Sequence, residues 1–250
     1  MFSQIKSMFR EQGSEPDRIG SFFQDGKLLL DRLDALPEPM SFFPTGWMTP
    51  LELQVLYNAA KYGRGDFLEI GTWIGKSSTA IALGRRDAGD WRTRKYDAVD
   101  FGFVSLTDFC SALAVGMEYA AQDEIARPVL TPGGTMAVLM ENLRSRGLLD
   151  TVTSVIRGNA ADVPVREHYG VVFCDATHNE AEIAVVGPML SRALRPGSWL
   201  MCDDIHEHQH LVDALSKYVT FDFFHLLTHS DSQSKAAIGR VKATAAHKPR

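Results

Sequence analysis

From residue 49 onward, short apolar runs alternate with longer stretches whose apolar positions recur at helical spacing. Residues 66–70, 96–99, 152–157, 171–174 and 198–202 are runs of about four to six residues suited to burial on both faces, as expected of parallel strands. Between them, helices are predicted over 77–86, 108–121, 134–145, 180–194 and 208–217. Another starts at Thr49-Pro50, a cap followed by a proline at the first helical position, and runs to about Tyr62. The last apolar segments, "FDFFHLLTH" (221–229) and "KAAIGRVK" (235–242), are joined by a polar turn at 230–234 and read as an antiparallel hairpin. The rhythm predicts an α/β fold: a Rossmann-like, doubly wound, seven-stranded sheet, mostly parallel and closed by that hairpin. Before it, residues 1–48 form a separate segment with a helical stretch over 27–36 and an aromatic, proline-rich approach, "PEPMSFFPTGWMTP", that reads as a lid; residues 49–250 make one domain. The tail 243–250 reads as frayed.

Composition narrows this picture little. The 250 residues are 45% hydrophobic and 23% charged, as in an ordinary globule, and a net charge of −5 gives no reason to expect a nucleic-acid partner. No apolar run reaches the roughly 20 residues of a membrane span, and the start lacks the order of a signal peptide, so a cytoplasmic location is expected. The cysteines number three, Cys110, Cys174 and Cys202, an odd count that argues against a disulfide framework. Self-association is compatible with this composition without being fixed by it.

Chemistry enters at the first strand-to-helix turn, "EIGTWIGKSS" (69–78). It ends like a phosphate loop, yet three residues rather than four separate Gly71 from Gly75, which puts Lys76 out of register for a phosphate. A dinucleotide fingerprint fails as well, because Trp73 stands where the second glycine belongs. What remains is an acid, Glu69, and two glycines at a turn built for close backbone approach. "YDAVD" ends the second strand in Asp100, and Gly158-Asn159-Ala160 follows the third.

This ordered set resembles the first motifs of the class I S-adenosylmethionine-dependent methyltransferases. The resemblance implies that Glu69, Gly71, Thr72, Gly75 and Ser77 surround the methionine part of the cofactor, with Ser77 acting through its backbone. It further implies that Asp100 binds the ribose hydroxyls, that Asn159 and Ala160 lie at the adenine, and that Asp175 also borders the cofactor. A cationic sulfonium suits a turn flanked by carboxylates, which would repel a phosphate.

Two further strand ends carry acids: "VVFCDATH" places Asp175 three residues before His178, and "SWLMCDD" ends in Asp203 and Asp204. On neighbouring strands these carboxylates would crowd, so their pKa values are raised or a cation sits among them. Oxygen ligands favour Mg²⁺, with Mn²⁺ as a substitute. The spacing resembles the macrocin O-methyltransferase and cephalosporin hydroxylase-like branch of the same superfamily. That likeness implies a metal on Asp175, Asp203 and Asp204 with His178 as general base, although the branch commonly has Glu-Asp where this chain has Asp203-Asp204. The alternating His206, His208 and His210 invite a zinc reading, which their position entering a helix disfavours. The expected activity is Mg²⁺-dependent transfer of a methyl group to a hydroxyl of a small molecule such as a sugar, natural product or other vicinal diol. Acceptor specificity is expected in segments 42–48 and 101–146. The rival readings are a non-catalytic S-adenosylmethionine-binding protein and a phosphate-loop nucleotidase.

Overall fold

A computed structural model of the chain describes residues 18–25, 27–164, 166, 168–205, 209–227 and 234–247. Its centre is a seven-stranded sheet: β3 (Phe67–Ile70), β4 (Tyr96–Asp100), β5 (Ser154–Arg157), β6 (Val171–Cys174), β7 (Trp199–Cys202), β8 (Val219–Leu226) and β9 (Ala237–Thr244). They lie in the order β5-β4-β3-β6-β7-β9-β8, with β9 antiparallel to both its neighbours and the other pairs parallel. The expected doubly wound sheet with its terminal hairpin is therefore observed, and each expected strand lies within a few residues of its expected place.

The apolar runs are buried on both sides because each strand feeds two cores. Phe67, Phe173, Trp199 and Met201 face the layer of α1 (Pro50–Tyr62), α2 (Lys76–Ala88) and α6 (Gly134–Ser145). Alternate residues Leu68, Val172, Leu200 and Cys202 face α7 (Glu180–Ala193) and α8 (Gln209–Ser216). Helix α1 begins as expected: the Thr49 hydroxyl accepts from the Glu52 amide (3.3 Å), and Glu52 Oε2 accepts from the Thr49 amide (2.6 Å).

Three expectations need correction. Residues 27–36 are not helical: β1 (Phe23–Gln24) and β2 (Lys27–Leu28) form a small hairpin, followed by a 3₁₀ turn over Leu30–Arg32. Arg32 donates to the Ser21 carbonyl (2.7 Å) and Gln24 Oε1 (3.0 Å), and Phe22, Phe23 and Leu33 join the α1–α2 core, so tertiary anchoring overrides the leucine periodicity. Instead of one helix over 108–121 there are α3 (Leu106–Leu113) and the single turn α4 (Met117–Ala120), because Ala114 turns left-handed at φ +53° and ends the first. A further helix, α5 (Asp123–Leu130), was concealed in the sequence by Pro128 within it. The tail is ordered as far as described: β9 reaches Thr244 and a 3₁₀ turn spans Ala245–His247.

Candidate active site

The turn after β3 is shaped by contacts that exclude side chains. Gly71 has φ +83°, and a Cβ there would lie 2.6 Å from the Asp175 carbonyl oxygen; Gly75, at φ +99°, would meet Leu139 at 2.8 Å. Between them Trp73 holds a left-handed φ of +49°, uncommon for so bulky a residue, and its ring packs at 5.7 Å from Trp47 and 5.6 Å from Phe109. Asp100 fixes this geometry from the end of β4. Its Oδ2 accepts from the amides of Thr72 (2.8 Å) and Trp73 (2.9 Å) and from the Thr72 hydroxyl (3.2 Å), while Oδ1 accepts from the Gly102 amide (2.7 Å). The Asp100 carbonyl accepts from the Gly158 amide (2.8 Å), which sets the segment after β5 against the end of β4.

Glu69 lies beneath the turn, not on its open side. It is fully buried; Oε1 accepts from the Ser77 hydroxyl (2.5 Å), and Oε2 accepts from the Ser78 hydroxyl (2.8 Å) and from the Tyr96 hydroxyl. Burial pushes its pKa up to about 7 against the pull of these donors. The Lys76 ammonium donates to the Gly46 carbonyl (2.6 Å) and ties the N-terminal segment to the turn.

The second group of acids lies across the sheet edge, where the parallel pairing sets Cys174 beside Cys202 and so Asp175 beside Asp203. Asp175, His178 and Asp204 offer ligand atoms all within 4.8 Å of one another. His178 Nε2 is 3.5 Å from Asp175 Oδ1 and 3.2 Å from Asp204 Oδ2; its Nδ1 is 2.8 Å from Glu182 Oε2. Lys235 Nζ lies 2.9 Å from Asp204 Oδ1. Asp203 is buried, and its Oδ1 has no hydrogen-bond partner.

The charges respond to this crowding. Burial, relieved in part by His178, raises the Asp175 pKa, while burial reinforced by the negative charges of Asp175 and Asp204 raises that of Asp203 to about 8. Burial also opposes ionisation of Asp204, but hydrogen bonds from His178 and Lys235 outweigh it and bring that carboxyl down to about 2. His178 is disfavoured as a cation by burial, yet Asp204, Glu182 and Asp175 carry it up to about 11. Asp175 and Asp204 beside His178 form a donor set that fits a divalent cation, and Asp203 lies next to it with an orphaned oxygen.

A family model described as a methyltransferase domain matches residues 68–205, more than half of the chain and all of both acid groups. The chain belongs to the methyltransferase-domain family. Among solved structures this methyltransferase is similar to an S-adenosylmethionine-dependent O-methyltransferase from Thermotoga maritima, with TM-score 0.53 and 13% identity, over 83% of this chain and 69% of that one. It is similar to the O-methyltransferase NovP, with TM-score 0.54 and 16% identity, over 77% and 80% of the two chains. It is also similar to CalS11, a TDP-rhamnose 3'-O-methyltransferase of calicheamicin biosynthesis, with TM-score 0.51 and 18% identity, over 76% and 77%. At these identities the likeness is one of fold. No curated protein matches.

The methyltransferase brings together all the residues that the sequence singled out at the turn, but Glu69, Thr72, Ser77 and Asp100 bind one another or the turn's backbone, more as a frame than as an open surface. At the other edge Asp175, His178 and Asp204 converge, whereas Asp203 stands apart from the mutual cluster. His206 and His208 lie outside the described residues; His210 is exposed on α8. Sequence reasoning missed Glu182 and Lys235. Glu182 was accessible, because it stands four residues after His178 across the Asn179 cap of α7. Lys235 has no local signal, since it reaches Asp204 from the start of another strand. Among the described residues no helix is long and apolar enough to cross a membrane.

Proposed function

We propose that this methyltransferase moves the methyl group of S-adenosylmethionine to a hydroxyl of a small molecule, with Mg²⁺ or Mn²⁺ held by Asp175 and Asp204 and assisted by Asp203. The observation that carries the reading is the convergence of Asp175, His178 and Asp204 next to the turn: Gly71, in that turn, comes within contact distance of the Asp175 backbone. Binding of a methyl donor alone requires no such cluster. The glycine turn offers backbone to the methionine part, the outer side of Asp100 takes the ribose hydroxyls, and the Asn159–Ala160 turn borders the adenine. Glu69 acts through Ser77 and Ser78 as a positioning residue.

In the reaction the acceptor oxygen attacks the methyl carbon, the carbon–sulfur bond breaks with its electron pair returning to sulfur, and the hydroxyl proton goes to His178 Nε2. Glu182 on Nδ1 orients the imidazole for that transfer. As arranged, the acids around His178 keep it protonated, and a protonated imidazole accepts nothing; the base role therefore requires the charge of Asp175 and Asp204 to be offset. Asp175 and Asp204 would hold a divalent cation there, and such an ion would supply that offset and Lewis-acid polarisation of the acceptor oxygen. NovP and CalS11 are O-methyltransferases, which supports oxygen as the acceptor atom.

Calorimetry with S-adenosylmethionine and with ATP tests the cofactor, and binding of ATP alone sinks the reading. Methyl transfer to a panel of sugars and catechols, with and without EDTA, tests the remainder. His178→Ala is expected to lower the rate on any accepted substrate by about 10²–10⁴-fold. An undiminished rate in that variant and in EDTA removes both proposed roles.

A further inference from the structure

The carboxylate site already contains a cation that belongs to the chain. Both oxygens of Asp204 are occupied, Oδ2 by His178 Nε2 at 3.2 Å and Oδ1 by Lys235 Nζ at 2.9 Å. Lys235 is brought there by an anchored backbone. Glu52 Oε1 accepts from the Lys235 amide (2.8 Å) and from the Ser234 hydroxyl (2.8 Å), while Glu52 Oε2 holds the Thr49 amide at 2.6 Å. The segment leading into β9 is thus fixed to the start of α1, and the lysine stem is directed at the acids from a buried support.

The ammonium end is different: the Lys235 side chain is 44% exposed, so it can leave Asp204 for water at small cost. A surface ion pair with this exposure adds little to stability, which leaves its position on a ligand oxygen as the feature to explain.

We propose that Lys235 is a tethered cation that competes with the divalent ion for Asp204 and so sets how tightly the site takes metal; this rests on the metal reading given above. When an ion takes Asp204, Lys235 withdraws, and positive charge stays on that carboxylate throughout. Lys235 acts through Asp204, so it is a positioning residue and not a catalytic one.

The test is Mn²⁺ binding, read from the electron paramagnetic resonance signal of free Mn²⁺ and repeated by calorimetry with Mg²⁺, on wild type, Lys235→Met, Lys235→Arg and Asp204→Asn. Lys235→Met is expected to bind Mn²⁺ about fivefold to tenfold more tightly, the size expected for removing one partly exposed charge. Lys235→Arg, which restores the charge, is expected near wild type, a rescue that a purely structural role would not produce. Equal or weaker binding in Lys235→Met, with binding lost in Asp204→Asn, overturns the tethered-cation role and leaves the metal site standing. Absence of Mn²⁺ binding from both wild type and Lys235→Met removes the metal reading and this inference with it.

Discussion

Two groups of carboxylates stand at the same sheet edge and are treated in opposite ways. Around the turn between β3 and α2, Glu69 and Asp100 are buried among hydroxyl and amide donors, and every one of their oxygens accepts a hydrogen bond. At the β6–β7 ends, Asp175 and Asp204 converge on His178, and Asp203 is buried beside them with one oxygen that has no hydrogen-bond partner. The first pair holds a backbone shape; the second holds charge in reserve. Burial opposes ionisation in both groups; hydrogen bonds to every oxygen offset it in the first and not in the second, which is where a cation is proposed.

Breaking the first pair gives the largest effect. Asp100→Ala strips the amides of Thr72, Trp73 and Gly102 of their acceptor, and at about 1–3 kcal/mol for each stranded donor the loss is on the order of 4 kcal/mol. Thermal or urea unfolding reads it directly, and S-adenosylmethionine affinity is expected to fall with it. A change under about 1 kcal/mol would mean that the turn holds itself, and the contrast between the two groups would collapse.

Glu69 gives a pH signature. Its pKa is raised from 4.5 to about 7 in the folded chain, so the unfolded chain ionises first as pH rises. Stability from this group is therefore highest below about pH 4.5, declines through the window up to about 7, and is constant above it. A shift of that size corresponds to about 3 kcal/mol, at 1.36 kcal/mol per unit. Glu69→Gln removes the titration. The difference in unfolding free energy between wild type and variant should move in the variant's favour between pH 4.5 and 7; a difference that stays flat across that window contradicts the burial argument.

Legibility in the sequence follows the range of the interaction. Strands β3, β4, β6 and β7 are visible because burial on both faces demands continuous apolar runs, and the acids that follow them are visible because strand ends are fixed by those runs. Counting the residues between Gly71 and Gly75 argues against a phosphate loop, and Lys76 donates to the Gly46 carbonyl. Which way a carboxylate points was not legible. Glu69 and Asp100 read as cofactor ligands from the sequence, and the partners 27 and 28 residues away that also hold them in the frame of the turn were not visible there. Lys235 was invisible for the same reason, being brought to Asp204 by Glu52, 183 residues earlier in the chain. Where periodicity alone was used, the helix over 27–36 is absent because anchoring to the core decided the backbone, and the helix over 108–121 is broken in two by a left-handed Ala114.

The smallest effect has the opposite sign. Asp203 is buried beside two other acids with Oδ1 unpartnered, and its pKa is raised to about 8 by burial and by the charges of Asp175 and Asp204. Above its ordinary carboxylate range, wild type therefore loses stability as pH rises toward 8, because the unfolded chain ionises freely and the folded one does not. Asp203→Asn keeps the shape and removes the charge, and at pH 7 in EDTA it should be more stable than wild type by about 2 kcal/mol. Added Mg²⁺ should narrow or reverse that gap, since wild type gains from the ion what the variant has given up. Melting curves of the two proteins with EDTA and with Mg²⁺ supply all four values needed. Should Asp203→Asn melt below wild type in EDTA, the second carboxylate group is a frame like the first, and the reserve of charge assigned to it does not exist.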